Sequence, residues 1–204
     1  DRQGGKYVNT ADTPVYKKSE NLFGINFAKN VCSERVILVE GNMDVISLHQ
    51  AGFENTVAPL GTAFTTEQAN LLSRYTKEIV LMLDADAAGQ KAVRRASELL
   101  ENTGLSVRVV VVPDGKDPDE YIKKNGKERF AALLEGAVSD MEYKLLTAAK
   151  DINLDNEDGR LKYLAAAAEI IAASDDIMTR DIYIGRLSEK YGVSRTALNA
   201  RIEE

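Results

Sequence analysis

The sequence offers little for cross-links, for soft metals or for a membrane. Its 204 residues include one cysteine, Cys32, so no disulfide can close within the chain. One histidine, His49, accompanies it, and the pair cannot build a Cys/His zinc cage. Tryptophan is absent, and no apolar run approaches the roughly 18 residues that a membrane-spanning helix needs. The opening Asp1-Arg2-Gln3-Gly4-Gly5 lacks both an initiator Met and the charged-then-apolar pattern of a secretory leader. The chain is therefore expected to be a piece of something larger, and the cytosol is the expected compartment.

The composition is that of a globular protein, with 44% hydrophobic and 28% charged residues. A net charge of −6 argues against indiscriminate nucleic-acid binding, but the charge is uneven. Residues 1–30 carry five basic side chains against three acidic ones, whereas residues 151–204 carry seven against eleven. A phosphate-facing surface is expected to include the N-terminal end and to leave out the tail.

Residues 1–34 show weak periodicity; Phe23, Ile25 and Phe27 alternate and suggest a short extended segment. From Arg35 the pattern sharpens. Val36–Val39, Thr56–Ala58, Ile79–Leu83 and Val107–Val112 read as short strands rich in β-branched residues. Helices are expected over 43–51, from Thr65 onward and over 87–102. Thr65 and Gln68 fit a capping box, and Gly104 a helix C-terminus. Strands alternating with helices predict an α/β fold with a mostly parallel sheet. Beyond Pro113 only helical patterns follow: 117–124, 127–134, 141–150, 159–173, 180–191 and 195–202, the last capped by Ser194. The expected division is 1–34 as the end of a basic subdomain, 35–125 as the α/β domain and 126–204 as a small helical bundle.

Carboxylates stand where the strands stop. Glu40 follows the first strand and Asp44 lies four residues on; Asp84 and Asp86 follow the third; Asp117 and Asp119 follow the fourth after a short turn. Ligands of parallel sheets bind outside the carboxyl ends of the strands, so six carboxylates can share one edge. Packed together they raise one another's pKa unless cations intervene. Hard divalent ions such as Mg²⁺ take carboxylate oxygens and leave positions for phosphate or water, which suits phosphoryl transfer. Each acid taken singly is equally well read as a solvated loop acid or an N-cap, Asp86 above all.

These residues carry a resemblance. Glu40-Gly41-Asn42-Met43-Asp44 resembles the E-G-x-x-D motif of TOPRIM domains, and Asp84-Ala85-Asp86-x-x-Gly89 their D-x-D-x-x-G motif. Within that group, Ala58-Pro59-Leu60-Gly61-Thr62-Ala63 and Pro113-Asp114-Gly115-Lys116-Asp117-Pro118-Asp119 are similar to segments of bacterial DnaG-type primases. So are the lead-in stretches Lys6-Tyr7-Val8-Asn9-Thr10 and Thr13-Pro14-Val15-Tyr16-Lys17-Lys18. The resemblance covers about residues 4–135, and Asn42 departs from it, standing where Tyr is usual.

The resemblance implies templated RNA primer synthesis from NTPs on single-stranded DNA. Glu40, Asp84 and Asp86 would be catalytic, and together with Asp44, Asp117 and Asp119 they would bind Mg²⁺ or Mn²⁺. Lys6 and Lys18 would face template or nucleotide phosphates; Lys17 stands where the family often has His. Zinc is expected only in an N-terminal module outside this chain, and the replicative helicase is expected to bind a further domain beyond Glu204. The chain alone is then expected to bind metal, to bind nucleic acid weakly and to make little or no primer. Alternatives from other classes are a TOPRIM nuclease or topoisomerase-related enzyme and a TOPRIM module that only binds. A topoisomerase would need an active-site tyrosine from a separate domain.

Other motifs are set aside. Asp151-x-Asn153-x-Asp155 lacks the Gly and Glu that a calcium loop needs at its sixth and twelfth positions, where Asn156 and Lys162 stand. Residues 190–198 resemble a turn between short helices, but the acidic tail disfavours DNA reading. His49 and Cys32 are read as structural.

Overall fold

The computed structural model describes residues 11–83, 87–112 and 117–203. The chain forms two compact units, one up to Val138 and one from Ser139 onward.

The first unit is built on β1 (Arg35–Leu38), β2 (Thr56–Val57), β3 (Glu78–Leu81) and β4 (Ser106–Val109), with β5 (Val138–Ser139) at its boundary. Five strands lie in the order β2-β1-β3-β4-β5. β1 runs parallel to both neighbours, with Leu38 opposite Val57 and opposite Leu81, and β3 runs parallel to β4, with Leu81 opposite Val109. The expected mostly parallel sheet is thus present. Val36–Val39 and Ile79–Met82 are buried throughout, which is why these strands read as continuous apolar runs instead of alternating ones.

Helices α1 (Ile25–Ala28), α2 (Asn42–Gln50), α3 (Thr66–Leu72), α4 (Ala87–Leu100) and α5 (Pro118–Glu135) surround the sheet. On one face Ile37, Val39, Val80 and Met82 pack with Val45 and Leu48 of α2 and with Ile122, Phe130 and Leu134 of α5. The chain steps from β1 to β2 in one direction across the sheet, then from β2 over to β3 and on to β4 in the other. Right-handed crossovers therefore put α3 and α4 on the face opposite α2. The expected capping box at α3 is present: Thr65 Oγ1 accepts from the Gln68 N–H at 3.2 Å and Gln68 Oε1 from the Thr65 N–H at 3.1 Å.

Three readings are corrected. Phe23 makes an antiparallel bridge to Ala58, but Ile25–Ala28 is helical. Gly24 turns the chain there with φ +83°, and a Cβ on it would lie 2.9 Å from the Thr56 carbonyl oxygen. The 87–102 helix ends at Leu100, and the 107–112 strand is Ser106–Val109. The two short helices expected over 117–124 and 127–134 are both present within α5, parted at Gly126, whose φ of +80° and ψ of 173° are non-helical, and Phe130 and Leu134 belong to the core of the first unit. The compact division consequently falls after Val138.

The second unit comprises α6 (Asp140–Ala149), α7 (Glu157–Ala172), α8 (Ile177–Tyr191) and α9 (Arg195–Glu203). Leu145, Tyr163, Leu164, Ala167, Ile171, Ile184, Leu187 and Leu198 make its own core. Burial, with the nearby Tyr191 and Glu142, pushes the Tyr163 hydroxyl up to about 12. The N-caps are Ser139, Asn156 and Asp176, and Ser194 accepts from the Ala197 N–H as expected.

Candidate functional site

The strand order reverses between β1 and β3. The loop after β1 leads to α2 on one face, whereas the loop after β3 leads to α4 on the other. The crevice between two such strand ends is where parallel sheets bind ligands. A cavity of about 390 Å³ lies there, lined by Leu38 at the end of β1, Val39 and Glu40 just after it, Leu83 just beyond β3, and Ala92 and Arg95 from α4. The 59–64 segment, with Pro59, Gly61 and Phe64, forms another wall.

Glu40 is exposed at this cavity. Asp84 and Asp86 follow Leu83 in the sequence and lie outside the described residues, as does Lys6. Asp44 is 8% exposed, a buried carboxylate on the first turn of α2. Its Oδ2 accepts from the Gly41 N–H at 3.1 Å and its Oδ1 from the Asp119 N–H at 3.3 Å. Asp117 caps α5, accepting from the Glu120 N–H at 2.7 Å. Asp119 accepts from Ser47 Oγ and, at 2.7 Å, from Lys123 Nζ. Burial pushes the Asp119 carboxyl up, but hydrogen bonds from Lys123 and Ser47 outweigh it and hold the group below its ordinary value. The structure thus joins Asp44 and Asp119 directly. Among the described residues no three His, Cys, Asp or Glu side chains converge as a complete metal cage.

The lead-in segment is pinned to α3. Buried Gln68 donates from Nε2 to the Lys18 carbonyl at 2.9 Å and the Asn21 carbonyl at 2.7 Å, and Thr65 Oγ1 donates to the Ser19 carbonyl at 2.6 Å. Lys18 is half-buried, and Lys17 pairs with Glu20 at 2.8 Å. Ser47 and Arg95 were not singled out from the sequence; neither belongs to a motif, and only the fold brings them to this edge. His49 is structural as expected, its Nε2 2.9 Å from the Thr56 carbonyl and its ring edge-on to Phe27. Cys32 is fully buried, and burial pushes its thiol up.

Residues 37–122 match the family described as Toprim-like, a span that holds all six of the strand-end carboxylates. Residues 141–196 match the DnaB-helicase binding domain of primase. The DNA primase of Clostridium acetobutylicum is 45% identical over 194 residues, 95% of this chain and 32% of that protein. The chain belongs to the DnaG-type DNA primases.

Solved primases agree in fold. A DnaG primase catalytic domain bound to single-stranded DNA superposes with a TM-score of 0.76 at 31% identity, covering 96% of this chain and 64% of that one. The RNA polymerase domain of Mycobacterium tuberculosis primase DnaG, in complex with double-stranded DNA, gives 0.84 at 31% identity, covering 95% and 63%. The chain spans about a third of the length of the curated primases that it matches. One expectation is overturned: the segment resembling a helicase-binding domain is present at 141–196 and does not have to be sought beyond Glu204. Among the described residues no helix is long and apolar enough to cross a membrane.

Proposed function

We propose that this chain supplies the nucleotidyl-transfer centre of a bacterial primase, which copies single-stranded DNA into short RNA primers from NTPs. The observation that carries this reading is the convergence of Glu40 and Leu83, the residue before Asp84, on one cavity at the reversal point of a parallel sheet.

The donors suit a hard divalent cation, since they are oxygens only and Glu40 opens onto the cavity. Glu40, Asp84 and Asp86 would hold Mg²⁺ or Mn²⁺, with Asp44, Asp117 and Asp119 completing the acidic edge. Such a cation, when bound, aligns phosphate oxygens and neutralises charge that develops at the transferring phosphorus. Glu40, exposed beside the incoming nucleotide, would accept the proton of the attacking 3′-hydroxyl or orient the cation. Arg95 at the cavity wall would offer its guanidinium to phosphate oxygens. Lys6, Lys17 and Lys18 would hold template or triphosphate through salt-sensitive contacts, Lys17 only by giving up Glu20. The 141–196 segment would contact the replicative helicase at the fork, in the bacterial cytoplasm.

Ribonucleotide incorporation on a single-stranded template tests this reading, comparing this chain alone with a chain of the relatives' length. Incorporation by the long chain that Glu40→Gln abolishes, with little by this chain alone, is the expected result. Metal-dependent cleavage of DNA without incorporation would replace the primase reading with a nuclease.

A further inference from the structure

We propose that Asp44, Ser47 and Asp119 form a clasp between α2 and α5 that positions Glu40, and that Asp44 and Asp119 act through it as positioning residues instead of gripping a cation. The proposal deepens the metal reading above and rests on it for its consequence, though not for its geometry.

The Gly41 N–H belongs to the peptide that joins Glu40 to Gly41. Asp44 Oδ2 accepts from it at 3.1 Å and so fixes the plane of the peptide on which Glu40 is carried. A Cβ on Gly41 would lie 3.0 Å from the same oxygen, so a larger residue there would crowd the contact. The other Asp44 oxygen takes the Asp119 N–H, a partner 75 positions away in the chain. One helical turn beyond Asp44, Ser47 Oγ donates to Asp119 Oδ1, while Asp119 Oδ2 takes Lys123 Nζ. Each oxygen of both carboxylates therefore already faces a protein donor, and Asp44 is buried where Glu40 is exposed.

The consequence is a division of labour along the acidic edge. Glu40 meets the cavity, whereas Asp44 and Asp119 bolt the strand-end turn to the α5 N-terminus. Ser47 is the member that no motif marks. Removing its hydroxyl leaves every strand-end carboxylate in place but takes one bolt out. An amide at position 44 puts an NH2 donor where one of the two accepting oxygens stands, so Asp44→Asn sets a donor against either the Gly41 or the Asp119 N–H.

The test uses the full chain, with Mn²⁺ affinity followed by EPR and Gly41 and Asp119 amide exchange followed by NMR. Ser47→Ala is expected to speed Gly41 exchange and to weaken Mn²⁺ by up to about 10-fold at unchanged stoichiometry, the low end of what direct hydrogen-bond partners of metal ligands contribute, because Ser47 reaches Glu40 only through Asp119 and Asp44. Ser47→Thr, which keeps the hydroxyl, is expected to restore both. Gly41 exchange that Ser47→Ala and Asp44→Asn leave unchanged would overturn the clasp. Asp44→Asn that lowers Mn²⁺ stoichiometry as Glu40→Gln does, with Ser47→Ala silent, would make Asp44 a ligand and also overturn it. Mn²⁺ binding indifferent to Glu40→Gln, alongside faster Gly41 exchange in Ser47→Ala, would support the clasp while removing the metal reading.

Discussion

The turn after β1 and the loop between α6 and α7 are both crowded with acids and amides, yet they use them differently. In the helical unit the partners are local: Asn153 Oδ1 accepts from the Asp155 N–H at 3.0 Å and Asn156 Oδ1 from the Gly159 N–H at 2.6 Å. Those side chains close turns and cap a helix. In the α/β unit Asp44 reaches the Asp119 backbone and Ser47 the Asp119 carboxylate, across more than seventy residues, beside a cavity that opens on Glu40. Acid density alone does not separate a site from a cap; the sequence distance of the partners and the presence of a strand end do.

The largest expected effect tests that contrast. In a chain of the relatives' length, Glu40→Gln, or Asp84→Ala with Asp86→Ala, should lower ribonucleotide incorporation by about 10³-fold, the scale for losing a preorganised charge contact. Asp151→Asn and Asp158→Asn should leave incorporation unchanged in the same assay.

Next are the cores. Phe130 is fully buried, tilted against Phe53 with ring centroids 4.8 Å apart. Phe130→Ala should destabilise the α/β unit by about 3–5 kcal/mol in urea unfolding, a value set by the cavity left behind. In the helical unit a Cβ on Gly159 would lie 1.8 Å from the Asn153 carbonyl oxygen. Gly159→Ala should cost that unit about 1–3 kcal/mol, read by thermal unfolding, while Mn²⁺ affinity stays as it was.

The smallest effect is acid dependence. Asp176 caps α8, and hydrogen bonds from the Thr179 side chain, then from the Thr179 and Met178 backbone, hold its carboxyl below the ordinary value. A lowered folded value means that the cap's contribution is complete above the unfolded carboxyl value of about 3.9 and is lost as pH falls through the lower folded one. The melting difference between the intact chain and Asp176→Ala should therefore be present near neutrality and shrink in acid. A difference constant across that range would show that the carboxylate charge contributes nothing at this cap.

Much of the α/β unit was legible because it repeats simple signals. β1 and β3 are buried on both faces and read as unbroken apolar runs, and Thr65 with Gln68 announced α3. The Phe23, Ile25, Phe27 alternation misled because Gly24 turns the chain between them, and only Phe23 reaches Ala58. Val138–Ser139 is too short to carry a period. Phe130 and Leu134 read as bundle residues because an amphipathic helix does not state which core it faces. Glu40 could be placed at a strand end from sequence alone. The buried, donor-saturated state of Asp44 could not, since its partner Asp119 lies on another helix. Ser47 gave no signal at all, being an ordinary helical serine until α5 is packed beside it.

Anomalous scattering from crystals of this chain soaked in Mn²⁺ tests the central claim most directly. A peak within coordination distance of a Glu40 oxygen, on the side of the cavity that Leu83 lines, is the predicted result. No peak beside Glu40 at millimolar Mn²⁺, or a peak held by the acids of the α6–α7 loop instead, would contradict it.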